Sequence, residues 1–451
     1  MAKPLSDREI VLGLLMDITE HDVYSHIALG NVLSKYQYLD KQERAFITRV
    51  TEGTLEHLIE LDYILNQFSK VEVKKMKPVI RNILRSAVYQ LKYMDSVPDS
   101  AVCNEAVKLA VKKGFAPLKG FVNGVLRSAA RGIDAVEYPS GPVEALSIRY
   151  SMPEWILKKW LEEYDRETVE MMLADFQKEK PLTIRCNTSR CQPAELEARL
   201  EKEGVQAVGH PYLSYACRIT GYDYLGDLES FREGLFAVQD VSSMLVGEIA
   251  DPKPGDYIID VCAAPGGKSI HLADRLAGTG HVEARDLTEY KTALIRENID
   301  RMGMENISAV QMDASVQDAS SVSKADIVIA DLPCSGLGVL GKKTDLKYRV
   351  TEKQLEELVR LQRSILDVVC SYVKPGGVLI YSTCTINRTE NQENVKWFLA
   401  DHPDFAPEQM KESLCAELQS AVGEDGCLQL LPGVHDSDGF FIARLRKKGS
   451  A

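Results

Sequence analysis

Cysteine pairs, zinc-type clusters and long apolar runs are all missing from this 451-residue sequence, and each absence removes a class of protein. The ten cysteines are scattered singly, with neither CxxC pairs nor a His/Cys cluster at zinc spacing. That excludes a disulfide scaffold and a zinc site, and it predicts reduced thiols that mostly fill small gaps in cores. No apolar stretch approaches the roughly 20 residues needed to cross a bilayer. The start, MAKPLSDREIVLGLLMD, is charged and carries no secretory cleavage pattern, so the expectation is a cytoplasmic protein without membrane contact. Internal repeats and low-complexity tracts are also missing, which argues against a solenoid or a disordered chain.

What is present is the composition of a globular protein, 45% apolar and 27% charged, over a length that predicts two or three domains. The net charge of -12 argues against indiscriminate nucleic-acid binding, but it hides a segregation. Between Lys70 and Arg131 thirteen Lys/Arg stand against four Asp/Glu. Such a basic segment suits RNA phosphates or simply a solvated helix face.

Residues 7 to about 133 repeat apolar positions at spacings of three and four, as in RAFITRVTEGTLEHLIELDYIL and VIRNILRSAVYQLKYM, and predict an all-helical domain over 1–140. Tyr138-Pro139-Ser140-Gly141-Pro142 reads as a linker. The segment 143–246 is mixed, with a helical piece at WILKKWLEEY, an alternating piece at LTIRCN and a helix from Pro193, so a small α/β module is expected. From 247 to 451 short apolar strands (YIIDV, HVEARD, SAVQMD, DIVIADLP, GVLIYST) alternate with helical stretches, which predicts a doubly wound, mostly parallel sheet.

In such a sheet ligands bind beyond the carboxyl ends of the strands. The first strand ends at Asp260 and leads into Cys262-Ala263-Ala264-Pro265-Gly266-Gly267-Lys268, small residues that let backbone amides approach a ligand before a helix begins. The second ends at Asp286, about twenty residues past the glycine loop, where a carboxylate can accept ribose hydroxyls. The third ends at Asp313, placed to meet an adenine edge. A lone strand-end aspartate is more often a helix cap, but three in register with a glycine loop favour a ligand. AAPGGK is not GxGxxG and no second phosphate cradle follows, so a nucleoside cofactor without pyrophosphate fits better, and S-adenosylmethionine is such a molecule.

The fourth strand ends in Asp331-Leu332-Pro333-Cys334-Ser335-Gly336, and the fifth, after a Pro375-Gly376-Gly377 turn, in Ser382-Thr383-Cys384-Thr385. A lone strand-end cysteine is usually structural, and Cys262, Cys186 and Cys370 are candidates for that role. Two cysteines beside a cofactor site have a chemical use. Carbon 5 of cytosine is too weak a nucleophile to attack a methyl sulfonium, and a thiolate added to carbon 6 converts it into an enamine that can. One cysteine attacks and a second group assists release. Asp331 stands where an acid could act near ring nitrogen 3, or it caps the turn that follows.

DVCAAPGGKS, DLPCSGLG and YSTCTINRTENQENV resemble the RNA cytosine-5 methyltransferases, and among them the bacterial small-subunit ribosomal RNA enzymes of the Sun/Fmu type. The resemblance implies that Cys384, of the TC motif, is the nucleophile and that Cys334, of the PC motif, helps release the product. It places S-adenosylmethionine on residues 262–268, Asp286, Asp313 and Asp331, with Lys268 touching cofactor or target, and Asp438-Gly439-Phe440-Phe441 near the site. RAFITRVTEGTLEHLIELDYIL and GFVNGVLR look like a NusB-like helical domain. PLTIRCNTSR with FAVQDVSSML looks like the intervening α/β RNA-binding module, and the C-terminal part like a Rossmann-like methyltransferase domain. Two departures, Leu332 for a common Ala and GKKTDLKYRV for a basic, tryptophan-bearing segment, are expected to border the base pocket.

The implied substrate is small-subunit ribosomal RNA and the expected state is a monomer with no obligate protein partner and no metal. Two other classes remain in view. A non-catalytic RNA-binding or ribosome-assembly protein would have lost a motif cysteine or aspartate, and all are present. A methyltransferase acting on a small molecule or protein would need neither two cysteines nor a basic helical domain.

Overall fold

The computed structural model describes residues 5–36 and 39–449. They divide into two units, residues up to Gln177 with Leu340–Arg349, and Lys178–Val339 with Val350 onward. The helices of the segment expected at 143–246 that precede Gln177 therefore group with the first unit, and its strands and later helices with the second.

The first unit is helical: Asp7–Glu20, Ser25–Lys35, Lys41–Glu56, Leu58–Phe68, Pro78–Tyr93, Asp99–Lys112 and Lys119–Gly132, then Pro142–Arg149, Glu154–Glu163 and Arg166–Phe176. The spacings of three and four become one core that joins Leu15, Ile47, Val50, Leu61, Ile80, Leu84, Val88, Val122 and Leu126. Asp40 starts the third helix by a reciprocal cap. Its carboxylate accepts from the Glu43 amide at 2.8 Å, and the Glu43 carboxylate accepts from the Asp40 amide at 3.0 Å. The long run expected from Arg44 is two helices parted at His57, whose ring stacks on Tyr93 at 4.2 Å and hydrogen-bonds Glu60 at 3.1 Å.

The basic excess is largely spent inside this unit. Lys74, Lys75, Arg81, Arg85, Lys92, Lys108, Lys112 and Lys113 pair with Glu72, Glu20, Asp62, Glu60, Glu105 and Glu9. Four of these acids, Glu9, Glu20, Glu60 and Asp62, lie outside the basic stretch, so counting charge along the chain could not find them.

Leu340–Arg349 belongs to this unit, and charge explains how it is held. Asp345 accepts from the Ser25 amide (3.2 Å) and hydroxyl (2.5 Å), at the N-terminus of a helix. Lys347 donates to the Glu56 carbonyl (2.9 Å) and approaches that of Tyr150 (3.5 Å), at two helix C-termini. Arg349 donates to the carbonyls of Ile18 (3.1 Å) and Asp22 (2.9 Å) beyond a third. An anion thus meets a positive helix end and two cations meet negative ones. The GKKTDLKYRV departure is therefore packed into the helical unit through residues 341–349. Leu332 is likewise a core residue, 3% exposed.

The second unit contains two sheets. In the smaller, β1 (Leu182–Cys186), β2 (Gln206–Gly209), β3 (Ala216–Thr220) and β4 (Phe236–Val238) run in the order β2-β3-β1-β4, all antiparallel. The larger sheet holds β5 (Tyr257–Asp260), β6 (His281–Asp286), β7 (Ile307–Gln311), β8 (Ala325–Asp331), β9 (Val373–Thr383), β10 (Phe405–Pro407), β11 (Leu428–Leu430) and β12 (Phe440–Lys447). Its order is β10-β12-β9-β8-β5-β6-β7, with β5 to β9 parallel and β12 antiparallel to β9. β11 also pairs with β12, forming the expected closing pair.

Alternate residues of the parallel strands face opposite layers, as a doubly covered sheet requires. Ile258, Ile327, Ile329 and Ile380 pack with helices Val241–Ala250, Gly267–Arg275 and Glu289–Met302. Ile259, Val328, Ala330 and Leu379 pack with Glu352–Val369 and Gln392–Asp401. Two details depart from the sequence expectation. Only the short turn Ala319–Ser321 separates β7 from β8, without an α-helix. Pro375–Gly377 lies inside β9 as an irregularity, since Ala325 pairs with Val373 while Ile327 already pairs with Val378.

The two sheets are tied by a buried ion pair. Arg185 of β1 is 0% exposed and donates to Asp274 at 2.9 Å. Asp274 also accepts from the amides and hydroxyls of Thr188 and Ser189. Asp274→Ala should leave the guanidinium unpaired in the core and cost about 3–5 kcal/mol, read as a lower midpoint in urea unfolding. Unchanged stability would mean that Arg185 is satisfied without it.

Candidate active site

The chain runs outward through β5, β6 and β7, then returns to β8 on the other side of β5, so a crevice opens between the ends of β5 and β8. The loop after β5 turns at Gly266, whose φ of +104° is left-handed and suits glycine. The helix Gly267–Arg275 begins at once, and its second residue, Lys268, reaches Asp331 at the end of β8 across 2.7 Å. Burial alone would push the Lys268 ammonium down, but Asp331, with Asp260 and Cys384 farther off, outweighs it and raises the pKa. The ammonium also lies over the Phe440 ring at 5.3 Å, so β12 contributes to the crevice.

The strand-end aspartates differ in setting. Asp286 accepts from the amides of Ala264 (3.0 Å) and Leu287 (2.8 Å) and pairs with Lys291 at 3.0 Å. Asp313 is exposed, and its Oδ1 accepts from the amide and hydroxyl of Ser315, bonds that lower its pKa. Cys262 packs with the core on one sheet face, and burial pushes its thiol up. Ala263 donates its amide to the Arg285 carbonyl (2.8 Å) and accepts at its own carbonyl from Gly266 (2.7 Å), so the loop from Cys262 through Pro265 is held at the mouth of β5.

The two cysteines meet. Cys334 Sγ and Cys384 Sγ are 3.3 Å apart, and both residues are partly exposed. The Cys334 thiol is held well above the usual range, first by its contact with Cys384, then by burial and by the charges of Cys384 and Glu390. Neighbouring backbone keeps the loops close. Gly338 donates to the Cys384 carbonyl at 3.0 Å and accepts from Gly439 at 2.9 Å. A side chain at Gly338 would run into the Gly439 and Cys384 carbonyls. None of the ten cysteines forms a disulfide.

Lys268 meets Asp331 and Cys334 meets Cys384, all four named from the sequence, which did not mark the groups behind them. Ser382 donates to Asp331 at 2.9 Å, and Asp260, Ser335, Gln362, Glu390, Asn391 and Asn394 form buried polar bonds beneath the loops. Polar residues in ENQEN read as surface, and only their place directly after the TC motif could have marked them.

A Rossmann-like sheet with a glycine loop, strand-end carboxylates and paired cysteines at its switch point defines a methyltransferase catalytic domain. Comparison with known proteins makes this specific. A family model described as 16S rRNA methyltransferase RsmB/F matches residues 248–446, one for the NusB family residues 5–131, and one for the RsmF/B-like ferredoxin-like domain residues 152–222. The probable ribosomal RNA small subunit methyltransferase B of Bacillus subtilis is 37% identical over 449 residues, covering 99% of this chain and 100% of the relative. The protein of the same description from Synechocystis is 33% identical, covering 98% and 100%. The crystal structure of PH0851 superposes with a TM-score of 0.82 at 25% identity, over 99% and 100% of the two chains. NSun6 from Pyrococcus horikoshii with SFG shares the fold, with a TM-score of 0.58 at 24% identity over 66% and 99%. The chain belongs to the family of the 16S rRNA methyltransferases RsmB/F.

Asp260 gives this site a pH signature. Its carboxyl is buried, Oδ2 accepts from Ser269 at 2.6 Å, and Oδ1 accepts no hydrogen bond of good geometry among the described residues. Burial, reinforced by Asp331 and opposed by Ser269, pushes it up to about 7. A carboxyl raised in the folded state binds its proton more tightly than the unfolded chain does, so folding loses stability as pH rises from about 4 to about 7. The thermal midpoint should therefore fall more between pH 5 and pH 8 in the wild type than in Asp260→Asn. Parallel pH profiles of the two would remove Asp260 as the cause.

Proposed function

We propose that this chain transfers a methyl group from S-adenosylmethionine to carbon 5 of a cytosine in small-subunit (16S) ribosomal RNA, through a covalent bond from Cys384. The observation that carries the reading is the 3.3 Å approach of Cys384 to Cys334 beside the Lys268–Asp331 pair.

The residues fit the cofactor. Loop 262–268 offers small side chains and backbone at the crevice, and Asp313 Oδ2 accepts no hydrogen bond among the described residues. Asp286 would hold the ribose hydroxyls, with its half-exposed partner Lys291 free to swing aside. Asp313 would meet the adenine edge. Bound there, the cofactor supplies an electrophilic methyl group.

The chain's own groups account for the remaining chemistry. The Cys384 thiolate adds to carbon 6 of the cytosine, and the ring electrons move toward carbon 5 and nitrogen 3. Asp331, held by Lys268 and Ser382, passes a proton to nitrogen 3 as electron density builds there and takes it back when Cys384 leaves. After methylation the carbon 5 proton is released to solvent, the double bond re-forms and the carbon 6–sulfur bond breaks with its electron pair going to Cys384. Cys334 keeps its proton at neutral pH and passes it to the departing sulfur. In the helical unit Lys119, Arg127 and Arg131 lie exposed on one face of helix Lys119–Gly132 and bridge to no carboxylate among the described residues. They are the cations best placed for RNA phosphates.

The test uses methyl-labelled S-adenosylmethionine and unmodified small-subunit ribosomal RNA. Wild type should produce 5-methylcytosine, Cys384→Ala should lose it by more than about a thousandfold, and Cys334→Ala should accumulate a protein–RNA adduct. Cofactor binding without RNA labelling would move the chain to the RNA-binding, non-catalytic class.

A further inference from the structure

Both cysteine loops converge on one buried carboxylate that no step of the proposed reaction uses. Glu390 is 0% exposed. Its Oε1 accepts from the Ser335 amide (2.9 Å) and Gln362 Nε2 (3.0 Å), and its Oε2 from the Ser335 hydroxyl (2.6 Å) and Asn387 Nδ2 (2.9 Å). Four hydrogen bonds reach its two oxygens, the full acceptor complement of a carboxylate. Among the described residues no Lys, Arg or His forms an ion pair with it. It is a buried charge stabilised by neutral donors alone, and such a group is costly unless its geometry is kept.

The bonds are distributed around the two sulfurs. Ser335 directly follows Cys334, and Gln362 also donates to the carbonyl of Pro333, which directly precedes it (2.9 Å). On the other loop, Asn387 lies three residues after Cys384, and the Thr385 hydroxyl meets that of Ser335 at 2.7 Å. The next residue along, Asn391, accepts from the Thr383 hydroxyl (2.6 Å) and donates to the Thr385 carbonyl (3.0 Å), on either side of Cys384. Asn394 closes the set by donating to Gln362 Oε1 at 2.8 Å.

We infer that Glu390 is a positioning residue for the two-cysteine reaction: its anion clamps the PC and TC loops to each other and keeps the proton on Cys334 while Cys384 attacks. This rests on the function proposed above. A carboxylate near Cys334 opposes a second negative charge there, and Glu390 is among the causes that hold that thiol high. Lys268 is close enough to Cys384 to interact with its charge. One anion and one cation therefore polarise two otherwise alike sulfurs in opposite senses, which assigns attack to one and release to the other.

Glu390→Gln keeps the shape, removes the charge and sets an amide group against donors. Glu390→Asp keeps the charge. Displacing a reacting group by about 1 Å costs on the order of a hundredfold in rate, so Glu390→Gln should lower kcat by about that factor, with KM for RNA and cofactor affinity changed much less. The pH midpoint for iodoacetamide alkylation of Cys334, followed by peptide mass spectrometry, should fall in Glu390→Gln and return toward wild type in Glu390→Asp. Should Glu390→Gln not fold, Ser335→Ala, which removes one donor and no charge, must still lower kcat with KM held.

The inference is overturned if Glu390→Gln or, in its place, Ser335→Ala turns over at the wild-type rate. It is equally overturned if the Cys334 midpoint does not depend on charge at residue 390. Cys384→Ala, assayed alongside, separates the two levels. A silent Cys384→Ala with a normal Glu390→Gln removes only the clamp, whereas methylation by Cys384→Ala removes the covalent reading itself.

Discussion

Between the neighbouring strands β5 and β8 the winding of the sheet reverses, so the loops leaving their ends turn away from each other and leave a gap between them. The Lys268–Asp331 pair spans that gap at 2.7 Å. Either charge alone in this place would be partly buried without compensation, at a cost of several kcal/mol, so each fixes the other and with it the separation of the two loops. β9 lies next to β8, and its end follows: Leu332 donates to the Ser382 carbonyl at 3.1 Å, and Ser382 donates to Asp331. The cysteine of each loop is carried along by this frame. The 3.3 Å between the sulfurs is a result of backbone register, and the side chains inherit it.

Polar hubs play the same part elsewhere in the molecule. Asp274 gathers β1 and the loop after it, Glu390 gathers the two cysteine loops, and Glu60 takes bonds from His57, Lys92, Tyr93 and Tyr138. The Glu60 donors outweigh its burial and hold its carboxyl down at about 2. Each hub joins segments distant in sequence through an anion saturated with donors. Such hubs contribute little net stability compared with an apolar filling, but a rival arrangement that breaks one strands a buried charge.

The parts of this architecture that follow a period or a spacing were legible in the sequence. Alternating apolar runs ending in Asp260, Asp286 and Asp331 give the parallel strands, and the cysteines three residues past β8 and one past β9 mark the candidate site. Long-range polar pairing was not legible. Glu390, Asn391 and Asn394 look like the polar start of a surface helix, and they are buried only because two loops close over them. The ion pairs of the basic stretch were hidden for the same reason, since most of the acids that pair with it lie elsewhere in the chain. Nor was it legible that the charges of GKKTDLKYRV, which follows the PC motif, meet helix ends of the helical unit.

The placement of Leu340–Arg349 also governs the order in which the molecule can be completed on the ribosome. Domains emerging from synthesis generally fold from the N-terminus as whole units. The helical unit is whole only when residue 349 has emerged, after β5 to β8 have been made. Until then the N-terminus at Ser25 lacks Asp345, and the carbonyl ends at Glu56 and Tyr150 lack Lys347. The nascent helices must wait, incompletely capped, for a strip of chain coded two hundred residues downstream of their linker, so neither unit is an independent cassette of the gene.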